Sequence, residues 1–296
     1  MPLPEAPCDA VAGRTIVETA YAKINLALHV RSRRPDGYHE LDSLFAFAEH
    51  GDRLTGLPAG DGAISLTIDG PFAGQIDTGP GNLVVRAAHA LANHLGKRVG
   101  AALHLSKQLP VSSGIGGGSA DAAAALRLLV RLWDMEIEAA TLREIALELG
   151  SDVPACLASV PQRVRGRGEV LLPEPLEGLD SLPLLLVNPG VAVSTGAIFA
   201  AWDGIDRGPL DAPDIARLVR HGRNDLEAPA TALAPAIADI LAALGECTDL
   251  VLARMSGSGA TCFALFSSEA GRDAASAGIA TAHPDWWTLA SRIRAA

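Results

Sequence analysis

The chain has 296 residues, 49% hydrophobic and 20% charged, which suits one large or two ordinary globular domains and excludes intrinsic disorder. Its net charge of −10, without a long Lys/Arg cluster, argues against a nucleic-acid partner, and no apolar run approaches the length of a bilayer span, so no membrane partner is expected. Cys8, Cys156, Cys247 and Cys262 stand far apart with neither metal-ligand nor redox spacing, and Met1 to Arg14 has no basic cluster leading into an apolar run, so a cytoplasmic protein with reduced thiols is expected.

Residues 1–14, with three prolines, read as a flexible tail. From Ile16 to Val30 the sequence alternates, with Ile24, Leu26, Leu28 and Val30 on one face and Lys23, Asn25, Ala27 and His29 on the other. That predicts a half-buried strand, and an ordinary solvent-facing surface accounts for Lys23 and Asn25 on the residues alone. Pro35-Asp36-Gly37 predicts a turn, followed at once by Tyr38 and His39. Tyr38 could stack on a planar ring and His39 could read a polar base edge. A surface loop whose tyrosine caps the core explains them as well. Ile64 to Ile68 alternates again as a strand.

Asn82 predicts the N-cap of a helix over 83–95, closed by Gly96. Leu103 and Leu105 mark a strand that feeds the stretch Pro110-Val111-Ser112-Ser113-Gly114-Ile115-Gly116-Gly117-Gly118-Ser119-Ala120. Four glycines in five positions let the backbone turn sharply and approach another molecule closely. A helix from Ala120 to Trp133 directs its free N–H groups and positive dipole end into that loop, which makes an anion site, most often for phosphate. The bland alternative is a tight strand-to-helix connection, for which one or two glycines suffice. Thr141 and Glu144 have capping-box spacing for a helix stopping at Gly150, and Asp152 before Pro154 reads as the N-cap of the next.

A composition shift over 161–183, carrying Arg163, Arg165 and Arg167, places a domain boundary near its end. Beyond it we expect a buried strand over 184–187, a helix after Gly196, one capped by Asn224-Asp225, and one from Thr231 to Leu244 ended by Gly245. Strands over 250–253 and 261–266 are expected to join through the second glycine turn, Ser256-Gly257-Ser258-Gly259, a weak phosphate signal on its own.

Two phosphate motifs are excluded by inspection. A Walker A loop ends in Gly-Lys-Ser/Thr, whereas Gly118 leads directly into Ser119. A dinucleotide fingerprint needs a third glycine where Ser119 stands, and Asp134 follows a helix rather than a strand. The loop over 110–119 with its alanine-rich helix, the turn over 256–260 and the strand Ala22-Lys23-Ile24-Asn25-Leu26 together resemble the three signatures of the GHMP kinase superfamily. Within it, Asp36-Gly37-Tyr38-His39, Gly150-Ser151-Asp152-Val153-Pro154 and Arg223-Asn224-Asp225-Leu226-Glu227 resemble the branch acting on a cytidine-diphosphate-linked methylerythritol.

The resemblance implies an α+β, two-domain architecture, an ATP-binding and catalytic domain over 15–173 and a C-terminal domain over 174–296, with the active site in the cleft between them. It implies ATP-dependent phosphorylation of a sugar hydroxyl in isoprenoid biosynthesis, with Asp152 as the base and Lys23 beside it. ATP would lie along Pro110 to Ala120, and Tyr38, His39, Asn25 and Thr195 would face the cytidine-linked substrate. Mg²⁺ would accompany ATP, with Ser119 its side-chain contact. Ala120 stands where many members carry a second serine, and Val111-Ser112-Ser113 replaces a more glycine-rich opening. A kinase for another small alcohol such as homoserine, or a non-catalytic nucleotide sensor, are the alternatives. Tyr38-His39 argues against the first, and Lys23 together with Asp152 against the second.

Overall fold

The computed structural model describes residues 15–295; the predicted tail, and Cys8 with it, lies outside the described residues. Two long strands, β1 (Ile16–Arg33) and β2 (His39–Ala59), form a hairpin through the turn expected at Pro35-Asp36-Gly37. Gly37 turns there with φ +84°. No element was expected over 39–59, because Asp42, Ser43 and Asp52 interrupt the apolar pattern. All three are buried and partnered, Asp42 by Arg163 and Asp52 by Lys107. A polar residue that finds its partner only in the fold breaks the periodicity from which strands are read.

The strand β2 is the spine of a six-stranded sheet. It pairs with β1 along one edge and, on the other, with β4 (Gly100–Ser106) and β5 (Gln162–Gly166). The sheet is completed by β3 (Ile64–Asp69), parallel to β4, and by β6 (Val170–Pro173) at the β5 edge. Helix α1 (Leu83–Leu95) begins and ends as expected: Asn82 Oδ1 accepts from the Val84 amide at 2.9 Å, and Gly96 has φ +64°. Helix α2 (Gly117–Leu132) starts inside the glycine run, three residues before the expected Ala120. Helix α3 (Ala139–Leu149) starts ahead of the expected capping box, since the Leu142 amide bonds the Glu138 carbonyl and draws Thr141 into the first turns. Helix α4 (Val153–Ala158) follows directly.

The second sheet runs β10-β7-β9-β8 and is wholly antiparallel. Its strands are β7 (Pro183–Asn188), β8 (Leu250–Met255), β9 (Cys262–Phe266) and β10 (Trp287–Arg292). The helices are α5 (Thr195–Ala200), α6 (Ile215–His221), α7 (Glu227–Leu233), α8 (Ala236–Gly245) and α9 (Glu269–Ala282). The single helix expected over 231–244 is two. Ala234 leaves helical geometry ahead of Pro235, whose ring disfavours a helical residue before it. Asn224 does bond the Leu226 amide, but Asp225 is no cap: its carboxylate accepts from the Val30 amide at 2.8 Å and pairs with Arg223.

Three apolar clusters define four layers. One face of the first sheet is covered by α1 to α4. Its other face, with Ile24, Leu26 and Leu44, meets Leu184, Leu186 and Phe263 of the second sheet. The second sheet's far face is covered by α8 and α9 with α5 and α7. β1 is therefore buried on both faces, not half-buried as its alternation predicts: Lys23 is 4% exposed and Asn25 3%. Among the described residues no helix is long and apolar enough to cross a membrane, and Cys156, Cys247 and Cys262 are free.

Candidate active site

A buried lysine must find partners, because an unpaired charge inside a protein is costly. Lys23 Nζ donates to Asn25 Oδ1 at 2.9 Å, lies 3.1 Å from Asp152 Oδ2 and sits 4.5 Å from the centre of the Phe45 ring. Asn25 is itself held, its amide donating to Ser43 Oγ at 2.9 Å while Ser43 donates to the Ala27 carbonyl at 2.6 Å. This chain of bonds fixes the direction of the ammonium group. β1 supplies Lys23, Asn25 and Ala27 and β2 supplies Ser43 and the Phe45 ring, so the paired strands act as one rigid mount.

Asp152 occupies the N-cap position of α4, as its place before Pro154 predicts, yet it caps nothing. A capping carboxylate accepts from the second or third helical amide and takes extended backbone geometry. Here the second helical residue is Pro154, which has no amide hydrogen, and Asp152 has φ −87°, ψ −15°. Released from that role, its side chain points to Lys23 and stays 31% exposed, open to an incoming molecule. Behind it, burial and then the Asp152 charge push the Cys156 thiol up to about 12, which leaves it unreactive.

The two glycine turns brace each other against this mount. Ser256 Oγ donates to the Gly114 carbonyl at 2.9 Å and accepts from the Asn25 amide at 3.1 Å, and the Thr261 amide bonds the Ser113 carbonyl. A Cβ on Gly116, at φ +65°, would come within 3.0 Å of Lys23 Cε. From Gly116 the chain enters α2, whose first three amides, on Gly117, Gly118 and Ser119, have no intrahelical acceptor. The Ala120 amide is already bonded to the Gly116 carbonyl, and its methyl is buried under the helix layer. Ile115 is likewise buried, its carbonyl taken by the Lys23 amide. Of the expected 110–120 stretch these two side chains face the core, Val111 to Gly114 and Gly116 to Ser119 line the cleft, and Pro110 lines a neighbouring pocket.

The cleft is about 1040 Å³ and also receives Asn25, Tyr38, His39, Thr195, Gly257 and Ser258. Thr195, in the first turn of α5, shares a hydrogen bond with Ser258 at 2.9 Å. Ser256 and Gly259 lie behind the surface and shape the turn; a Cβ on Gly259 would meet the Met255 sulfur. Tyr38 is 58% exposed at the rim rather than capping the core. His39 is buried beside it, with Phe199 of α5 at 4.9 Å between ring centres and Trp202 edge-on at 5.7 Å. Burial, and then the nearby Arg33, lower its pKa, so the ring is neutral at physiological pH, and with Nε2 accepting from Arg33 Nε at 3.5 Å its Nδ1 is left to donate. Phe199 is an aromatic of the cleft that sequence reading missed, since nothing local distinguishes it from a core residue.

A second unforeseen feature lies under the loop. Lys107 Nζ sits 2.5 Å from Asp52 Oδ2 and 2.6 Å from Asp121 Oδ2, all three buried. Asp52 also accepts from the Gln108 and Leu109 amides at 2.6 and 2.8 Å. The entry to the glycine loop and helix α2 are thus tied to the sheet by one lysine. Burial pushes the Asp121 carboxyl up to about 7, with Lys107 offsetting part of that and the Asp52 charge adding to it. Next to this triad a pocket of about 340 Å³ opens between Leu83, Ile76, Asn82, Pro110 and Val111.

Models of the GHMP kinases N terminal domain and of the GHMP kinases C terminal match residues 82–159 and 210–284. A curated protein of Rhizorhabdus wittichii is 53% identical over 94% of this chain and 94% of its own length. The chain belongs to the GHMP kinase family. That relative is named 4-diphosphocytidyl-2-C-methyl-D-erythritol kinase, as is one of Sphingopyxis alaskensis, 50% identical over 95% of this chain and 99% of its own. The crystal structure of a 4-(cytidine 5′-diphospho)-2C-methyl-D-erythritol kinase superposes with a TM-score of 0.78 at 32% identity, covering 95% of this GHMP kinase and all (100%) of that chain. A homoserine kinase from Cytophaga hutchinsonii superposes at 0.70 with 16% identity over 99% of this chain and 98% of that one, which shows the shared fold.

Proposed function

We propose that this GHMP kinase transfers the γ-phosphoryl group of ATP to the 2-hydroxyl of 4-(cytidine 5′-diphospho)-2-C-methyl-D-erythritol, a step of non-mevalonate isoprenoid biosynthesis. The observation that carries the reading is the Lys23–Asp152 pair at 3.1 Å, in one cleft with the free amides of α2 and with Tyr38, His39 and Phe199. A carboxylate that points into a cleft rather than capping its own helix is placed to accept a proton from an alcohol. Phosphoryl transfer asks the protein for little covalent chemistry, so positioning and charge stabilisation suffice.

In this reading the ATP phosphates lie along the amides of Gly117 to Ser119, and the adenine takes the 340 Å³ pocket beside Leu83 and Pro110. The cytosine is held by Tyr38 and Phe199, with neutral His39 meeting its polar edge. That places the sugar hydroxyl near Asp152. Lys23, aimed by Asn25, stabilises the attacking oxygen and the incoming phosphoryl group.

Mg²⁺ would neutralise phosphate charge. The donor set fits a hard cation bound mainly through phosphate oxygens: the Ser119 hydroxyl faces the cleft, and no three acidic, histidine or cysteine residues gather into a site of their own among the described residues. The boundary between an ATP-binding domain over 15–173 and a C-terminal domain over 174–296 belongs to the same proposal. It is supported by the first sheet ending at Pro173 and the second beginning at Pro183.

A kinase assay with purified protein, ATP and the cytidine-linked alcohol beside homoserine and mevalonate tests the assignment. Turnover of the cytidine-linked alcohol alone is expected. Phosphorylation of only one of the other two overturns it.

A further inference from the structure

Three arginines follow one another at alternate positions through β5 and its turn, and they meet different fates. Arg163 forms a two-pronged pair with Asp42, both contacts at 2.7 Å, and Arg165 Nε lies 3.5 Å from the same carboxylate. Arg167 lies just past the strand, in the turn to β6, flanked by Gly166 and Gly168 at φ +72° and +125°. Its guanidinium has no ion-pair partner among the described residues. It lies 5.0 Å from the centre of the Tyr38 ring and lines the cleft. Glu169 is engaged with the Arg167 backbone amide, and Asp36 with Arg34 and the Tyr38 amide.

The location is specific. A Cβ on Gly168 would touch the Ser151 side chain, so the turn abuts the residue before Asp152. Arg167 therefore sits over the ring expected to hold the base, on a turn that abuts the residue before the carboxylate expected to meet the alcohol. Arg33 lines the same part of the cleft, donating to the Ala200 carbonyl and to His39 Nε2 and, among the described residues, pairing with no acid. Among the described residues the cleft carries Lys23, Arg33 and Arg167 against Asp152 as its one acidic side chain, in a chain of net charge −10. The loop amides can serve the phosphates of ATP without these arginines, so the arginines await a second anion.

We propose that Arg167, supported by Arg33, binds the diphosphate that links the base to the acceptor alcohol, and so selects a nucleoside-diphosphate-linked substrate over an uncharged nucleoside. The inference rests on the substrate assignment above and deepens it. An exposed guanidinium pinned over a tyrosine face swings to a diphosphate at small conformational cost, and it leaves the ring free for stacking.

The test compares Arg167→Ala, Arg167→Lys and, as a control for charge two residues away on β5, Arg165→Ala, in the full chain. Binding of CDP and of cytidine is measured by calorimetry, with steady-state kinetics alongside. In Arg167→Ala the preference for CDP over cytidine should fall about tenfold, ~1.4 kcal/mol, with cytidine binding itself unchanged. KM for the cytidine-diphosphate-linked alcohol should rise by a similar factor, while kcat and KM for ATP move less than twofold. Arg167→Lys should recover most of the CDP preference, and Arg165→Ala should keep it. Equal weakening of CDP and cytidine would assign Arg167 to the stacking of Tyr38 and overturn the inference, as would an unchanged preference. Wild-type protein that binds CDP no better than cytidine would also overturn it. Failure of the wild type to turn over the cytidine-linked alcohol is a separate result and strikes the substrate assignment itself.

Discussion

Removing the Asp152 carboxylate should stop catalysis while leaving the protein folded. A general base contributes about 10²–10⁴ in rate, or about 3–5 kcal/mol of barrier, so Asp152→Ala should lower kcat by that factor or more. The stability cost is set by what Asp152 does in the resting fold. It forms no capping bond, its side chain is 31% exposed, and its partner Lys23 keeps Asn25 and the Phe45 ring. The loss is therefore well short of a fully buried pair, about 1–2 kcal/mol, or roughly 2–8 °C in Tm. ATP should bind as before, because the amides of Gly117 to Ser119 belong to another helix. Thermal unfolding, calorimetric ATP titration and single-turnover kinetics on Asp152→Ala and Asp152→Asn measure the three quantities. A folded, ATP-binding Asp152→Ala protein that turns over within tenfold of wild type would refute the base assignment.

The other predictions concern the surroundings of this pair. Tyr38→Ala should raise KM for the cytidine-linked alcohol about tenfold or more, as loss of one base–aromatic stack does, with KM for ATP little changed; equal losses for both ligands would place Tyr38 in a structural role. Gly116→Ala places a methyl 3.0 Å from Lys23 Cε at φ +65°, so it should lower kcat and weaken ATP binding together, as kinetics and titration would show. Asp121 carries a pKa raised to about 7, so the folded protein binds more protons than the unfolded chain between about pH 4 and 7. This group's contribution to stability is therefore fully present at low pH and lost as pH rises toward 7. Asp121→Asn should flatten that part of the Tm profile, and an unchanged slope would reject the assignment.

The parts legible in the sequence are those whose cause is local. Asn82 and Gly96 bound α1 because a cap bond and a left-handed residue depend on neighbours a few positions away. A glycine run leading into an alanine-rich helix announces free amides for the same reason. Elsewhere a local rule is outweighed by its surroundings. Thr141 did not begin α3, and the run from Thr231 to Leu244 was broken by Pro235.

Asp152 shows how far local rules reach. Its N-cap position was readable from Pro154, but the role was not, because the same proline withholds an amide and the partner that takes the carboxylate lies on a distant strand. The sequence by itself determined the glycine loop that opens α2, the strand that carries Lys23, and the kinase family they resemble. Only the tertiary structure decided that β1 is buried on both faces, that Ser256 locks the loop to that strand, that Phe199 joins His39, and that Lys107 bridges Asp52 and Asp121. Each of these joins residues far apart in the chain, and such contacts leave no periodicity or spacing in the sequence from which to read them.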